Sequence, residues 1–431
     1  MAGLLFGFDI AVINGAIVFI RDQFHLSSLG TEVAASSLLL GCAIGAAFAG
    51  VLSDRYGRRR ILLYGALLFA ISSISAGLPH ALPGFVAARL AAGLATGAAS
   101  VLAPIYIAEI SPPQIRGRLV TFNQLAIVIG ILLAYLVNWA LAATGPQGWR
   151  WMFAAAAAPA ILLWTGLLFV PESPRWLVKA GRHAEAMRVL FQLTSDASTA
   201  QKEMAAISTA VEQEKASALC WHSPQLRRLL VIAITLAVLQ QISGVNTVLY
   251  YGSLIFRSQA HSTIRSAVGL NVLIGAVNLA GTALAIAWID RLGRKPLLLS
   301  SAGVMGAALI FLGFAFRTPH VSPSLVLPWI LIYVFAFAVG LGPGIWLLLS
   351  EMFPTAVRGQ MMATATVALW LASLLLTSTF LSLVGAVGSS VTFWIYSGIC
   401  ISTLFFVWGA APETKGKTLE EIEELFPFST R

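Results

Sequence analysis

Charge is what this sequence has least of. Only 10% of its 431 residues are Asp, Glu, Lys or Arg, against roughly 25% in soluble domains. That scarcity excludes an ordinary soluble enzyme or binding module. Cysteine is nearly absent: Cys42, Cys220 and Cys400 stand far apart without C-x-x-C spacing, which excludes a disulfide framework and a cysteine-based zinc site. The six histidines all fall outside the long apolar stretches, so no imidazole relay or metal cluster is expected there. A Walker A loop is missing too. Gly416-Lys417-Thr418 would need a glycine five residues earlier, and position 411 is Ala. GLGPG at 340–344 lies inside an apolar run, not after a strand, so it is no dinucleotide loop. An ATP-driven pump and an enzyme are both disfavoured.

What is present is apolar. Hydrophobic residues make up 58% of the chain, and the mean hydropathy is +0.84. A helix crossing a bilayer needs about 20 such residues. Twelve stretches qualify: about 2–19, 36–52, 61–79, 84–108, 120–142, 151–170, 229–255, 267–289, 297–316, 325–350, 361–386 and 391–411. The first is interrupted by Asp9 and has no basic leader, so it reads as a retained helix, not a cleaved signal. Only eight residues precede Asp9, so a start upstream of Met1 is expected.

The net charge of +9 points away from nucleic acid once it is mapped. Basic residues gather in alternate loops: 54–60, 115–118, 171–228, 290–295, 357–359 and the tail. This is the positive-inside pattern, and it places both termini in the cytoplasm.

The chain repeats itself. EISPPQIRG (109–117) and EMFPTAVRG (351–359) share E-x-x-P-x-x-x-R-G, while DRYGRR (54–59) and DRLGRK (290–295) share D-R-x-G-R-basic. PESPR (171–175) and PETKG (412–416) each open on Pro-Glu. Three landmarks in one order imply two homologous six-helix halves, the architecture of alternating-access carriers. The expected fold is an all-α membrane protein with twelve transmembrane helices in two pseudo-symmetric bundles, 1–170 and 229–411. A helical connector (171–228), linker or latch, joins them, and a tail follows (412–431).

Amides recur in the apolar runs. Gln240, Gln241 and Asn246 fall within seven residues, and unpaired amides in hydrocarbon cost a few kcal/mol each. They must line a polar cavity or glue helices together. On a regular helix 241 and 246 diverge by about 140°, and Ser243-Gly244 between them permits the helix to loosen. Asp9 and Arg89 are the ionisable residues deep within the expected spans. Such groups normally pair or do work.

The motifs together resemble the sugar porter family of the major facilitator superfamily. G-x-x-x-D-R-x-G-R-R at Gly50–Arg59 is similar to the general superfamily loop. Arg89-Gly93-Gly97, PIYIAEISPPQIRG (104–117), PESPRWL (171–177), QQISGVNTVLYY (240–251) and PETKGKTLEEIEELF (412–426) resemble sugar porters specifically. The resemblance implies carriage of a monosaccharide by a functional monomer, with a hexose such as glucose favoured because Ile131 resembles glucose carriers. It implies a proton as coupling ion and no other cofactor, with Asp9 and Arg89 as the coupling pair. A facilitative uniporter with a structural Asp9–Arg89 pair, or a sugar sensor, are the alternatives. The sugar contacts implied are Phe6, Gln124, Ile131, Gln240, Gln241, Asn246, Asn278, Trp346 and Trp370. Tyr250 and Tyr251 would gate the outside, and Gly340, Gly342, Pro343 and Gly344 would break and hinge the tenth span. Asp54, Arg55, Arg58, Glu109, Arg116, Glu172, Arg175, Asp290, Arg291, Arg294, Glu351, Arg358 and Glu413 would latch the cytoplasmic side across both halves. Two departures stand out: Leu369 replaces an amide common in the family, and Ile286 replaces the counterpart of Gly50, which is expected to loosen packing there.

Overall fold

The computed structural model describes residues 1–111, 116–194, 196–217, 224–260, 263–318, 321–353 and 357–415. Twelve spans among these are long and apolar enough to cross a membrane. The first five are α1 (Ala2–Gln23), α2 (Ser28–Tyr56), α3 (Arg58–Ala76), α4 (Leu82–Ile110) and α5 (Arg116–Leu141). The sixth is split into α6 (Gly148–Ala155) and α7 (Ala157–Leu168). Three shorter or more polar helices follow, α8 (Pro174–Lys179), α9 (His183–Thr194) and α10 (Ala197–Ser217). They bury a small core of their own from Trp176, Leu177, Val178, Ala186, Val189 and Val211. His183 opens α9, so one histidine is helical, outside the spans.

The second half repeats the first. Its seventh span joins α11 (Pro224–Ile242) to α12 (Val245–Ala260), and α13 (Ile264–Leu292) and α14 (Arg294–Ala315) follow. The tenth joins α15 (Pro323–Val339) to α16 (Leu341–Met352). The last two are α17 (Arg358–Thr377) and α18 (Phe380–Ala410). The halves meet where α5 packs on α13, α17 on α2 and α1 on α12. Shifting each span by six turns the first of these contacts into the second, as a twofold repeat requires.

Two helix limits differ from the hydropathy reading. The eleventh span ends at Thr377, well before 386, and α18 begins at Phe380 and bends at Gly388, where φ is +82°. No charged residue, proline or glycine marks this corner, only the hydroxyl residues Thr377, Ser378 and Thr379. The turn is made locally by Thr379, whose hydroxyl bonds back to the Leu375 carbonyl at 2.7 Å. The second span begins at Ser28, two turns earlier than 36. Ser27 caps it, accepting a hydrogen bond from the Gly30 amide at 3.2 Å. Glu32 is thereby inside a helix and fully buried. Asp9 and Arg89 are therefore not the sole ionisable residues buried within the spans.

Close helix approach comes from small residues. Cβ atoms added at Gly93 and Gly97 of α4 would overlap the carbonyls of Leu38 and Cys42 on α2. A Cβ at Gly50, by contrast, would meet nothing within 4 Å. The expected loss of packing from Ile286 at the equivalent position therefore does not follow, because Gly50 is in open space.

Candidate functional site

The buried ion pair comes first. Asp9 on α1 and Arg89 on α4 are each 1% exposed, and one Asp9 oxygen accepts directly from the Arg89 guanidinium. The other accepts from the Thr96 hydroxyl at 3.1 Å. Arg89 and Thr96 stand seven residues apart, two turns on one face of α4. The guanidinium also lies 5.2 Å from the centroid of the Phe153 ring. Thr96 was not singled out from the sequence, where one threonine among alanines and glycines carries no signal without its partner.

The amide cluster sits at two helix breaks. Gly244 separates α11 from α12 with φ +99°, a conformation that glycine adopts without a Cβ penalty. Across that break Asn246 Nδ2 donates to Gln241 Oε1 at 2.6 Å, so the two amides converge where a regular helix would part them. Asn246 also donates to Ser373 Oγ on α17 at 2.7 Å, and Gln241 Nε2 donates to Gln240 Oε1 at 3.1 Å. Gln240 spends its own amide nitrogen on the carbonyls of Leu341 and Gly342, at 2.6 and 3.2 Å. The chain breaks at Gly340 between α15 and α16, and Gln240 donates to the first turn of the helix that follows the break. Gln240 thus braces the broken tenth span, next to Gly342, Pro343 and Gly344.

The remaining candidates distribute around this cluster. Phe6 on α1 meets Trp370 on α17 edge-on at 5.6 Å, bringing the two halves together. The Trp370 indole nitrogen is buried without a partner. Gln124 and Trp346 are half-buried, and Ile131 and Asn278 are buried. Gln124 and Ile131 lie two turns apart on α5. Asn278 lies one turn along α13 from Gly275, whose added Cβ would meet Tyr135 and Leu132 of α5. Leu369 is buried beside Trp370. Tyr250 and Tyr251 are both fully buried; the Tyr251 hydroxyl donates to the Thr377 carbonyl at 2.7 Å and its ring stacks on Phe380.

At the face that carries the connector, the charged residues assemble as two copies of one clamp. In the first half Arg58 Nε donates to Glu109 Oε2 at 3.2 Å, and Glu109 also accepts from Ser173. Glu172 accepts from the Arg59 backbone amide at 3.0 Å, capping α3. In the second half Arg294 Nη2 donates to Glu351 at 2.8 Å, and Glu351 also accepts from Thr414. Glu413 accepts from the Arg294 and Lys295 amides at 3.1 and 3.0 Å, capping α14. Carboxylates at helix N-termini also meet the positive end of the dipole. Gly57 and Gly293 precede these helices with φ +101° and +97°, and a Cβ on either would press on the capping glutamate. The ion pairs of Arg58 with Asp54 and Glu109, of Lys179 with Asp54 and of Arg294 with Glu351 each lie within one half and its connector or tail. Asp54 pairs with Arg58 and Lys179. The Arg55 guanidinium lies over its neighbour Tyr56, and the Arg291 carbonyl accepts from Lys415. The side chains of Asp290, Arg116 and Arg358 lie outside the described residues, as does Cys220.

Among the described residues, bonds that cross between the halves gather toward the opposite face. Asn14 on α1 donates to the carbonyls of Val248 and Leu249 at 3.2 and 2.8 Å, and to Asn271 Oδ1 at 3.1 Å. It accepts from the Ser253 amide and hydroxyl. Tyr135 donates to the Leu249 carbonyl at 3.2 Å. Arg257 pairs with Asp22 at 2.8 Å. Glu32 accepts from the Ser382 amide at 2.7 Å and hydroxyl at 2.6 Å. Sequence reading did not single out Asn14, and its one signal is an amide in the first apolar run.

Two six-helix halves joined mainly at one face, with a buried acid–base pair and a cluster of amides between helix breaks, define a membrane carrier of the major facilitator type. The family model for "Sugar (and other) transporter" matches residues 1–426, and the chain belongs to that family. It is 37% identical over 433 residues to the arabinose-proton symporter of Bacillus subtilis, covering 99% of this chain and 93% of the relative. It is 36% identical over 427 residues to the galactose-proton symporter of Escherichia coli, covering 98% and 92%. The partially occluded inward-open structure of the xylose transporter XylE from E. coli superposes with a TM-score of 0.86 at 35% identity, covering 97% of each chain.

Proposed function

We propose that this protein carries a monosaccharide, a hexose such as glucose in first place, together with a proton across the cytoplasmic membrane by alternating access. Both termini and the connector face the cytoplasm, and the monomer is the working unit. The observation that supports coupling is the isolated Asp9–Arg89 pair with its Thr96 hydrogen bond. A charge at mid-bilayer costs at least about 2.5–3.5 kcal/mol, so neutralising Asp9 changes the balance of the pair substantially.

When the outer side opens, Asp9 takes a proton and releases Arg89, and the sugar-loaded protein closes and turns inward. On the inside the proton leaves and the pair re-forms. Gln241 and Asn246, with Gln124, Asn278 and the Trp370 indole, supply donors and acceptors to the sugar hydroxyls. Phe6, Ile131 and Trp346 supply apolar walls, and Gln240 holds the broken tenth span in place. Tyr250 and Tyr251 close the outer side. The Gly340–Gly344 stretch hinges it.

A uniporter in which Asp9 and Arg89 are purely structural is the second reading, favoured by how completely the pair is buried. One experiment separates them. Asp9→Asn in energised vesicles is expected to abolish sugar accumulation against a gradient and to leave counterflow exchange of radiolabelled sugar in place. Undiminished accumulation by that variant overturns the symport reading.

A further inference from the structure

Glu32 is a fully buried carboxylate with no cation against it among the described residues: both oxygens bond to Ser382, one to the backbone amide and one to the hydroxyl. Residues 32 and 382 belong to different halves. Ser382 occupies the third position of α18, whose flanking residue Thr379 supplies no side-chain cap. Helices leave their first amides unsatisfied. The first turn of α18 is therefore capped by an acid from the other half of the molecule. We propose that Glu32 is the outer-gate latch, holding the two halves together while the carrier faces inward. It is a positioning residue distinct from the Asp9 pair.

Three observations give the contact leverage. Ser382 follows the α17–α18 corner, and Tyr251 holds the same corner by donating to Thr377 and stacking on Phe380. Tyr251 stands on α12, five residues beyond Asn246. The latch thus bears on the helix that carries Asn246. The second observation is the electrostatic imbalance. Separation of α2 from α18 exposes Glu32 to water, whereas closure removes that hydration and returns two hydrogen bonds and the helix dipole. Closure is therefore favoured only while Ser382 supplies its donors. The third is location: the other bonds between described residues of the two halves, through Asn14, Tyr135 and Asp22, lie toward this same face. This inference rests on the alternating-access reading above.

The sign of the perturbation is clearest at Ser382, since removing a donor leaves a buried charge short of a partner. Spin labels at the exposed positions Leu29 and Val387 report the distance across the outer face in liposomes. Ser382→Ala is expected to raise the outward-open to inward-open ratio at least tenfold, about 1.4 kcal/mol. In a Glu32→Ala background the same substitution is expected to change the ratio less than twofold. An equal shift in both backgrounds, or no shift with Glu32 present, overturns the latch. Sugar counterflow measured on the same liposomes separates the two readings. If it is absent throughout while the distance shift appears as described, the transport reading fails and the latch stands.

Discussion

Gly244→Ala tests whether the break in the seventh span is what assembles the amide cluster. Two costs act at this residue. Its φ of +99° is a backbone conformation that costs an L side chain about 1–2 kcal/mol. An added Cβ would also stand 2.7 Å from Cδ2 of Tyr396, and overpacking of a tight core costs about 1–3 kcal/mol. The sum is about 2–5 kcal/mol, a large share of a typical folding free energy. The chain escapes this cost by straightening the break, which carries Asn246 away from Gln241 and from Ser373. The expected outcome is a lowered thermal inactivation midpoint in detergent and sugar affinity reduced at least tenfold. Combining the change with Tyr396→Ala separates the two costs: relief of the clash should recover about 1–3 kcal/mol as a coupling, and the backbone cost should remain. A Gly244→Ala protein with unaltered midpoint and affinity would refute the reasoning. So would a double variant with no coupling, for the part assigned to the clash.

Trp370→Phe removes the unpartnered indole donor and keeps a ring against Phe6. Stability should change by less than about 1 kcal/mol while the sugar KM rises several-fold to tenfold, as for one lost hydrogen bond; an unchanged KM in uptake assays places that nitrogen outside the sugar site. Leu369→Asn restores an amide beside it. If the position faces the sugar, a competition panel should show at least one monosaccharide binding several-fold better, whereas an amide forced into the core should lower stability by about 1–3 kcal/mol. Glu172→Ala and Glu413→Ala each uncap an equivalent helix, and each should destabilise by about 1–2 kcal/mol in denaturant titrations. Markedly unequal losses would contradict the equivalence of the two clamps.

The spans were legible because a bilayer imposes a long apolar run and little else resembles one. The repeat was legible because its landmarks recur in order, and the structure gives them a physical reason. D-R-x-G-R contributes a positive-φ glycine and an arginine, E-x-x-P its carboxylate partner, and Pro-Glu the cap. The corner at Ser378–Thr379 was not legible, since three small hydroxyl residues between apolar runs, with no charge, proline or glycine, give hydropathy little contrast to use. Glu32 was missed for a related reason. Hydropathy assigned it to a loop, and only the cap at Ser27, with a partner 350 positions away, brings it indoors. Pairing across such separations has no local signature, and the same holds for Thr96 with Asp9 and for Asn14 with Val248 and Leu249. The candidate charges at the connector face were legible as residues but not as pairs, because a list of opposite charges does not say which half each partner belongs to.

The twin clamps at Glu172 and Glu413 have a practical consequence for anyone handling this protein. Each bundle is fastened by the short segment that follows its last span, so the second half reaches, mechanically, past the end of α18 to Thr414 and Lys415. A tag, fusion or protease site placed between Ala410 and Thr414 would unfasten the second bundle while leaving the first intact.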